Sequence, residues 1–208
     1  MGLLPGASFA PTLYGAGDTL EAWAGAALEQ ATGDRLIVVG CSVGGSCAIE
    51  MAVAAPDRIA ALVLVGTKAA HRPDPDLHAD ALRTLREDGM SAAWRRYWAP
   101  LLPASAERAT VAAAERIALA QSPEAVARGV TAFHTRPSRA DFLATFPRPV
   151  VVVTGAEDGA PGLKTSEMQA AAAPRGRLHV VAGCGHYVPL ERPEALNAIL
   201  RDLIGGQP

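Results

Sequence analysis

The sequence has few cysteines, and their number and spacing do not suit a disulfide or metal framework. Cys41, Cys47 and Cys184 are odd in number and lack C-x-x-C spacing, which is typical of zinc sites and redox centres. Each lies among apolar residues, so we expect buried free thiols. The sequence therefore indicates neither a disulfide-stapled fold nor a zinc site, and it implies no metal or organic cofactor.

Long apolar runs and clusters of like charge are also missing. The longest apolar runs, near 59–65 and 150–153, fall far short of the roughly 18 residues that a membrane span needs. The opening Met1–Gly6 lacks the basic start and apolar length of a secretory signal. Net charge is -2, and the lysines and arginines are scattered, which argues against nucleic acid and membrane as partners. We therefore expect a cytoplasmic protein with a small-molecule substrate.

The sequence does contain a regular alternation of strand and helix signals. A hydrophobic fraction of 50% in 208 residues suits one globular domain with a substantial core. Four short runs rich in Val, Leu and Ile predict strands buried on both faces, and helical segments lie between them. This alternation indicates an α/β fold with a mostly parallel sheet and flanking helices. The predicted strands are Leu36–Val39, Ala61–Val65, Val150–Thr154 and Leu178–Val181, and the predicted helices include Asp18–Ala31, Val43–Ala55 and Pro193–Ile204.

One long interval, residues 71–147, carries no strand signal. It holds several alanine-rich helical stretches that are punctuated by prolines. An insertion at the carboxyl edge of a parallel sheet lies where such folds bind ligands, so a lid over the site is the functional interpretation. A helical layer that only buries apolar surface is the alternative. The predicted organisation is a core of residues 1–70 and 148–208 with a helical cap of residues 71–147.

The sharpest local signal is Gly40-Cys41-Ser42-Val43-Gly44, a G-x-S-x-G sequence between a predicted strand and a predicted helix. A nucleophile elbow requires this strand, turn and helix context. The serine needs an unusual backbone conformation, and a side chain at Gly40 or Gly44 would collide with neighbouring backbone. The helix N-terminus directs free N–H groups at the reacting centre, so we expect the Val43 amide to stabilise an oxyanion.

A serine hydroxyl is a poor nucleophile unless a base takes its proton and a third group orients that base. Asp158 follows the third predicted strand and His186 follows the fourth, in the chain order that this architecture uses. Glu157 is a rival acid, and Asp158 is preferred because Gly159 leaves it on the looser part of the turn. An ordinary turn carboxylate and a solvated loop histidine are the alternatives for the two residues.

These residues resemble the α/β-hydrolase superfamily, particularly its small capped esterases and its enol-lactonase and biotin-pathway esterase-like branch. Further similarity lies in Tyr14–Asp18, in 55–66 and in Gly185–Pro193, so that the resemblance extends over nearly the whole chain. It implies an α/β-hydrolase fold with a helical cap, in which Ser42 is the nucleophile, His186 the base and Asp158 the orienting acid.

The N-terminal region departs from the family pattern. Leu3–Ala7 resembles the family's third strand and its H-G-x turn, with Pro5 in place of the usual histidine. The resemblance implies the backbone N–H of Ala7 as the second oxyanion donor. Because Met1 already lies at this strand, either the fold is N-terminally reduced or the true start lies upstream. A missing sheet edge would leave a strand that a partner subunit can cover, so an oligomer is possible.

Candidate substrate contacts are Trp98, His134 and Tyr187. Trp98 lies on a short aromatic helical stretch whose spacing suits core packing as well as a pocket wall. His134 with Arg136 can contact a substrate carboxylate or simply form polar surface.

The predicted activity is hydrolysis of a carboxylic ester, thioester or lactone through an acyl-enzyme, with Ser42, His186 and Asp158 as the triad. The main alternative keeps the triad but changes the reaction to carbon–carbon bond hydrolysis or an elimination, because one fold hosts many chemistries. A Ser–Asp dyad and a binding protein without turnover are two further alternatives.

Overall fold

The computed structural model describes residues 8–206, which form a four-stranded parallel sheet with helices on both faces. The strands lie side by side in chain order, as expected for right-handed crossovers between parallel neighbours. Val65 is in register with Cys41 on one side and with Val153 on the other, so the carboxyl ends of three strands meet at one edge. The strands are β1 (Leu36–Cys41), β2 (Ile59–Val65), β3 (Val150–Gly155) and β4 (Gly176–Val181). The predicted α/β fold class is confirmed.

Ten α-helices occupy the described residues, and short 3-10 and π turns interrupt them. The helices are α1 (Leu20–Gln30), α2 (Val43–Ala54), α3 (Pro75–Glu87), α4 (Gly89–Ala93), α5 (Arg108–Leu119), α6 (Pro123–Thr135), α7 (Ala140–Thr145), α8 (Leu163–Ala172), α9 (Val188–Glu191) and α10 (Pro193–Gly205). The π-helix spans Trp94–Trp98, and 3-10 turns span Pro56–Arg58 and Ala99–Leu101.

The start of α1 differs from the predicted helix start at Asp18. Thr19 is the N-cap: its backbone is extended, and its hydroxyl accepts a hydrogen bond from the Ala22 amide at 3.2 Å. The predicted start is therefore too early by two residues, since α1 begins at Leu20. The reason is that Thr19, which directly precedes the helix, already supplies the oxygen that the free amides need.

Burial differs between the inner and outer strands. β2 and β3 lie inside the sheet and are buried along nearly their whole length, as predicted. β1 and β4 are the outer strands of the described sheet, and Val39 and Val180 are 44% and 46% exposed. Burial on both faces was therefore the wrong expectation for the two outer strands, because their apolar runs are covered less completely.

Two apolar clusters sandwich the sheet. On one face Leu62, Leu64 and Val152 pack against Ile49 of α2 and against Phe146. On the other face, side chains of β2 and β3 pack against α9 and α10. Together these layers hold the carboxyl ends of the strands in fixed positions, which matters because the candidate site residues follow those ends.

A groove of about 290 Å³ runs beside the outer edge of β1. Apolar side chains line it, among them Phe9, Val39 and Met51. The predicted third strand of the family and the predicted oxyanion donor Ala7 lie outside the described residues.

The helices α3–α7 lie between β2 and β3 in the chain, where the sequence predicts a helical insertion. Trp94, at the start of the π-helix, is buried with Leu102 and Ala114 in an apolar cluster of this region. The division into core and cap stays a prediction. Within residues 8–206, no helix combines the length and apolar character that crossing a membrane requires.

Candidate active site

The turn between β1 and α2 places Ser42 in a strained conformation. Its φ of 53° and ψ of -121° make it the sole non-glycine residue with positive φ in the described chain. The Ser42 amide donates to the Val65 carbonyl at 2.9 Å, which ties the turn to the end of β2. Strain of this kind persists only where the surrounding structure enforces it, and it is typical of a nucleophile elbow.

Two glycines permit this turn, Gly40 and Gly45, of which only Gly40 was predicted. A Cβ atom on Gly40 would overlap the backbone of Gly44, as predicted. A Cβ atom on Gly44, apart from its chain neighbours and the backbone of its own helix, would meet no atom of the described residues within 4 Å, so that part of the prediction is wrong. Gly45 is the second crowded position, because a side chain there would overlap Thr67 across the turn.

Thr67 supports the turn and was missed by sequence reasoning. Its hydroxyl donates to the Ser42 carbonyl at 2.7 Å and also lies 3.1 Å from the Val65 carbonyl. Gln169 of α8 fixes the same segment, since its side chain donates to the Thr67 carbonyl at 3.0 Å and accepts from the Ala69 amide at 2.6 Å. No sequence motif signals these contacts, because Thr67 lies 25 residues from Ser42 and Gln169 lies 102 residues from Thr67.

His186 and Asp158 form a buried pair at the ends of β4 and β3. The imidazole Nδ1 lies 3.2 Å from Asp158 Oδ1 and 3.3 Å from Oδ2. The Ala160 amide donates to Oδ1 at 2.8 Å, and the Thr154 hydroxyl lies 3.5 Å from Oδ2. An ionised carboxylate only accepts hydrogen bonds, so Nδ1 carries the proton in this arrangement. The other ring nitrogen, Nε2, is then free to accept a proton.

Glu157, the rival acid, points elsewhere. Its carboxylate is exposed and accepts hydrogen bonds from the Ser105 hydroxyl at 3.0 and 3.2 Å. Asp158 is 6% exposed and faces the imidazole. The geometry thus favours Asp158, but for a different reason from the one drawn from Gly159: Asp158 lies on the buried side of the turn.

The segment Val65–Gly66 lies against both the turn of Ser42 and the ring of His186. A Cβ atom on Gly66, which has a φ of 54°, would lie 2.9 Å from His186 Nδ1. The preceding residue, Val65, accepts the hydrogen bond from the Ser42 amide. Cys41, the neighbour of Ser42, lies with its sulfur 4.0 Å from the His186 carbonyl. Within residues 8–206 no hydrogen bond joins the Ser42 hydroxyl to the imidazole, whose Nδ1 faces Asp158.

Val43, the candidate oxyanion donor, occupies the first position of α2. The N-cap residue Ser42 makes no side-chain capping bond, and the first amides of a helix have no partner within it. The Val43 N–H is therefore available at the turn that carries Ser42.

The candidate substrate contacts separate into two places. Tyr187 lies beside the site: its ring is 5.2 Å from the His186 ring, and its hydroxyl donates to the Trp98 carbonyl at 3.1 Å. Burial raises the pKa of Tyr187. Trp98 itself is half-buried among apolar residues of the inserted helices. These contacts bring the end of the π-helix to the loop that carries His186.

His134 and Arg136 are engaged with other residues of the insertion. The His134 ring stacks on His78 with centroids 5.2 Å apart, and burial together with the charge of His78 lowers the pKa of His134 to about 4. The Arg136 guanidinium lies over the Phe133 ring and donates to the Phe133 carbonyl. Substrate contact by His134 stays a prediction.

The three cysteines are free, and Cys47 and Cys184 are fully buried. Burial raises the pKa of each thiol to about 12, so the neutral thiol dominates at neutral pH. In the part of the chain that the structure describes, no group of three or more His, Cys, Asp or Glu side chains is arranged to hold a metal ion.

Comparison with known proteins identifies the family. The profile of the alpha/beta hydrolase family matches residues 2–199. The chain belongs to the alpha/beta hydrolase family. It is a hydrolase, as predicted, and the resemblance drawn from the sequence is confirmed.

Relatives of this alpha/beta hydrolase include ester hydrolases. The pimeloyl-[acyl-carrier protein] methyl ester esterase of Aromatoleum aromaticum is 31% identical, over 91% of this chain and 82% of that protein. A putative carbamate hydrolase, RutD, of Caulobacter sp. strain K31 is 30% identical, over 84% and 67% of the two chains.

Solved structures show the same architecture. A thermophilic esterase from Thermogutta terrifontis superimposes with a TM-score of 0.81 at 26% identity and covers 89% of this chain and 72% of its own. The enol-lactonase of Burkholderia xenovorans LB400 gives a TM-score of 0.79 at 22% identity over 96% of this chain and 77% of its own, a likeness of fold. The α/β-hydrolase fold predicted from the sequence is confirmed.

Proposed function

We propose that this alpha/beta hydrolase cleaves a small carboxylic ester, thioester or lactone through an acyl-enzyme formed on Ser42. The observation that carries the proposal is the buried contact of His186 Nδ1 with Asp158, 3.2 Å long, beside a serine held at a φ of 53°. Similarity to ester hydrolases over most of the chain supports an ester substrate.

In this mechanism His186 Nε2 accepts the proton of the Ser42 hydroxyl as its oxygen attacks the substrate carbonyl. Asp158 holds the imidazole in the required tautomer and stabilises the imidazolium. The Val43 amide donates to the oxyanion of the tetrahedral intermediate, where one such donor is worth about 10²- to 10³-fold in rate. The protonated imidazole then gives its proton to the leaving alkoxide or thiolate as the acyl bond breaks, so that an alcohol or thiol departs; with a lactone the new hydroxyl stays attached to the acyl chain.

Deacylation repeats the same steps with water. His186 Nε2 takes a proton from a water molecule, the resulting hydroxide equivalent attacks the acyl carbon, and Ser42 leaves with the proton that the imidazole returns. The chain's own residues therefore supply every proton transfer in the cycle.

Labelling by a fluorophosphonate, followed by mass spectrometry of the modified peptide, tests the nucleophile. We expect the wild-type protein to be labelled at Ser42 and the Ser42→Ala variant to remain unlabelled with an unchanged thermal midpoint. With p-nitrophenyl esters of increasing acyl length, and with a methyl ester and a lactone, the variant should lose about 10⁴- to 10⁶-fold in turnover.

The same panel separates ester hydrolysis from its alternative. Wild-type protein that is labelled at Ser42 but cleaves none of the esters or lactones would overturn the ester assignment and favour carbon–carbon bond hydrolysis or elimination. Ester cleavage that survives Ser42→Ala would overturn the role of the serine.

A further inference from the structure

The loop that carries His186 is held at three consecutive amides. Those of Gly185 and Tyr187 donate to the two carboxylate oxygens of Glu191, each at 2.9 Å. The amide of His186 itself donates to the Leu101 carbonyl of the inserted region at 3.2 Å. Glu191 therefore holds the peptide units on both sides of the histidine with one side chain.

The conformation of Glu191 is set by its own short helix. Its amide and that of Leu190 donate to the Tyr187 carbonyl at 2.9 and 2.8 Å, which closes the chain into a turn just after His186. Val188, inside this turn, is fully buried between β2, β3 and α10. The turn is thus anchored in the core, and the Glu191 side chain folds back onto the histidine loop.

A charged carboxylate is energetically unfavourable at the buried position of Glu191. Glu191 is 7% exposed, and among residues 8–206 no cationic side chain forms a salt bridge with it; Arg192 donates to its backbone carbonyl instead. Burial of an unpaired charge is strongly unfavourable unless hydrogen bonds compensate it. The two amide bonds to Gly185 and Tyr187 supply that compensation.

Glutamine, which has the same shape, cannot make both contacts. A carboxylate offers two acceptor oxygens, whereas a carboxamide offers one oxygen and an NH₂ group that would face a backbone N–H. The two-sided contact therefore requires the charged residue. The negative charge of Glu191 also affects the nearby Cys184 thiol. Burial is the main cause that raises the pKa of this thiol to about 12, and the charge of Glu191 is the next largest.

We propose that Glu191 is a positioning residue, whose carboxylate aligns the His186 imidazole between Asp158 and the Ser42 hydroxyl. It touches no reacting atom and acts through the histidine loop alone. The inference rests on the proposed function, because it assigns Glu191 a role in the proton transfers of His186. A misplacement of about 1 Å in a catalytic group can cost about 10²-fold in rate.

The test compares Glu191→Gln with two control variants. Glu194→Gln removes an exposed carboxylate three residues away, and Val188→Ala loosens the same turn without touching the carboxylate. Turnover is measured per active site, titrated with the fluorophosphonate, and thermal midpoints are recorded alongside. We expect Glu191→Gln to lower kcat about 10- to 100-fold with KM within about threefold. Glu194→Gln should keep the wild-type kcat, and Val188→Ala should lose stability while its kcat per titrated site stays within about threefold.

A wild-type kcat per titrated site in Glu191→Gln, whatever its midpoint, would overturn the positioning role. An equal loss of kcat in Val188→Ala would also overturn it, because stability of the turn alone would then explain the effect.

A second measurement uses the wild-type protein and does not depend on the variant folding. Hydrogen exchange followed by NMR should show the Gly185 and Tyr187 amides protected to the same extent as those of the sheet core, and rapid exchange at both would contradict the proposal. Absence of fluorophosphonate labelling in the wild-type protein would count against the proposed function, whereas the exchange data would still report on the Glu191 contacts.

Discussion

The sheet edge and the inserted helices hold their polar side chains in different ways. At the sheet edge, Asp158, Gln169 and Glu191 are buried and accept hydrogen bonds from backbone amides of the loops that follow the strands. In the insertion, Asp80 instead pairs with the side chains of Arg83 and Arg96, both largely exposed, and accepts a hydrogen bond from the Tyr97 hydroxyl.

The difference indicates how the two regions divide the proposed work. A backbone donor cannot rearrange without moving its chain segment, whereas a side chain can change rotamer, so we expect the candidate catalytic groups to be held in place before substrate arrives. Exposed side-chain pairs contribute little to stability and tolerate change. We infer that the sheet edge fixes the chemistry, while the inserted helices are free to vary around it.

Substitutions of the adjacent acids Asp158, which is buried, and Glu157, which is exposed, test this contrast between buried and exposed polar groups. Asp158→Asn should lower kcat about 10³- to 10⁴-fold, because an amide facing Nδ1 favours the wrong imidazole tautomer. Glu157→Gln should change kcat less than about tenfold, since it weakens only the contact with Ser105. Steady-state turnover on one activated ester gives both values, and a larger loss in Glu157→Gln would exchange the two roles.

Arg139 is a place where the insertion does hold a buried charge. Its guanidinium makes two bonds of 2.8 Å to Glu50 of α2, which is 3% exposed. Arg139→Met should lower the free energy of unfolding by about 3 to 5 kcal/mol, because it leaves the Glu50 carboxylate buried and unpaired. Urea titration gives the value.

Arg83→Met is the matched control, since Arg83 pairs with Asp80 in an exposed position. We expect a clearly smaller change from this variant. Equal losses would mean that exposed and buried pairs contribute alike, against the contrast drawn above.

Left-handed glycines in the two regions provide a third comparison. Gly66→Ala should lower the free energy of unfolding by about 2 to 3 kcal/mol, because it adds backbone strain at a φ of 54° and crowds His186 Nδ1. Gly89→Ala, at a φ of 81° with nothing described within 4 Å, should cost about 1 to 2 kcal/mol from strain alone. Chemical denaturation measures both.

Turnover measurements distinguish the Gly66→Ala and Gly89→Ala variants further. Only Gly66→Ala should reduce kcat, by about 10²-fold, through displacement of the imidazole. A comparable loss in Gly89→Ala would place the insertion inside the catalytic geometry.

The smallest expected effect is a pH dependence of stability that originates in the insertion. Burial, the charge of His78 and weaker effects of Arg136 and His71 outweigh the opposing effect of Asp74 and lower the pKa of His134 to about 4. An unfolded histidine titrates near 6.5, so between about pH 6.5 and 4 the unfolded chain binds more protons. Stability should therefore fall as the pH falls through this range.

Phenylalanine at position 134 keeps a ring for stacking but cannot take up a proton. His134→Phe should therefore flatten the loss of thermal midpoint between pH 7 and pH 5, with only a small change at pH 7. His179→Phe on β4, outside this histidine group, is the matched control for replacing a histidine ring by a phenyl ring. An unchanged slope in His134→Phe would contradict the assigned cause.

Local patterns in the sequence were sufficient for the architecture. The run Val150–Thr154 corresponds to β3 within one residue, and the helix predicted at Val43–Ala55 corresponds to α2 within one residue. Apolar periodicity and helix-start signals act over a few residues, so one chain segment carries the information. The predicted core and cap boundaries and the triad stay predictions.

Contacts between distant segments could not be predicted from local sequence patterns. Thr67 and Gln169 support the turn at Ser42 from about 25 and 127 residues away, and no spacing rule connects them. The crowded glycine of the turn is Gly45 rather than Gly44 because Thr67, a residue of another segment, lies against it.

The sequence by itself determined an alternating α/β chain with Ser42, Asp158 and His186 each placed after a strand, because periodicity and turn sterics are local properties. Only the tertiary structure decided that Asp158 rather than Glu157 faces the imidazole, and that Glu191 bridges the amides around His186. Both depend on which face of a loop is buried, and burial exists only once the strands, the helices and the inserted region lie against one another.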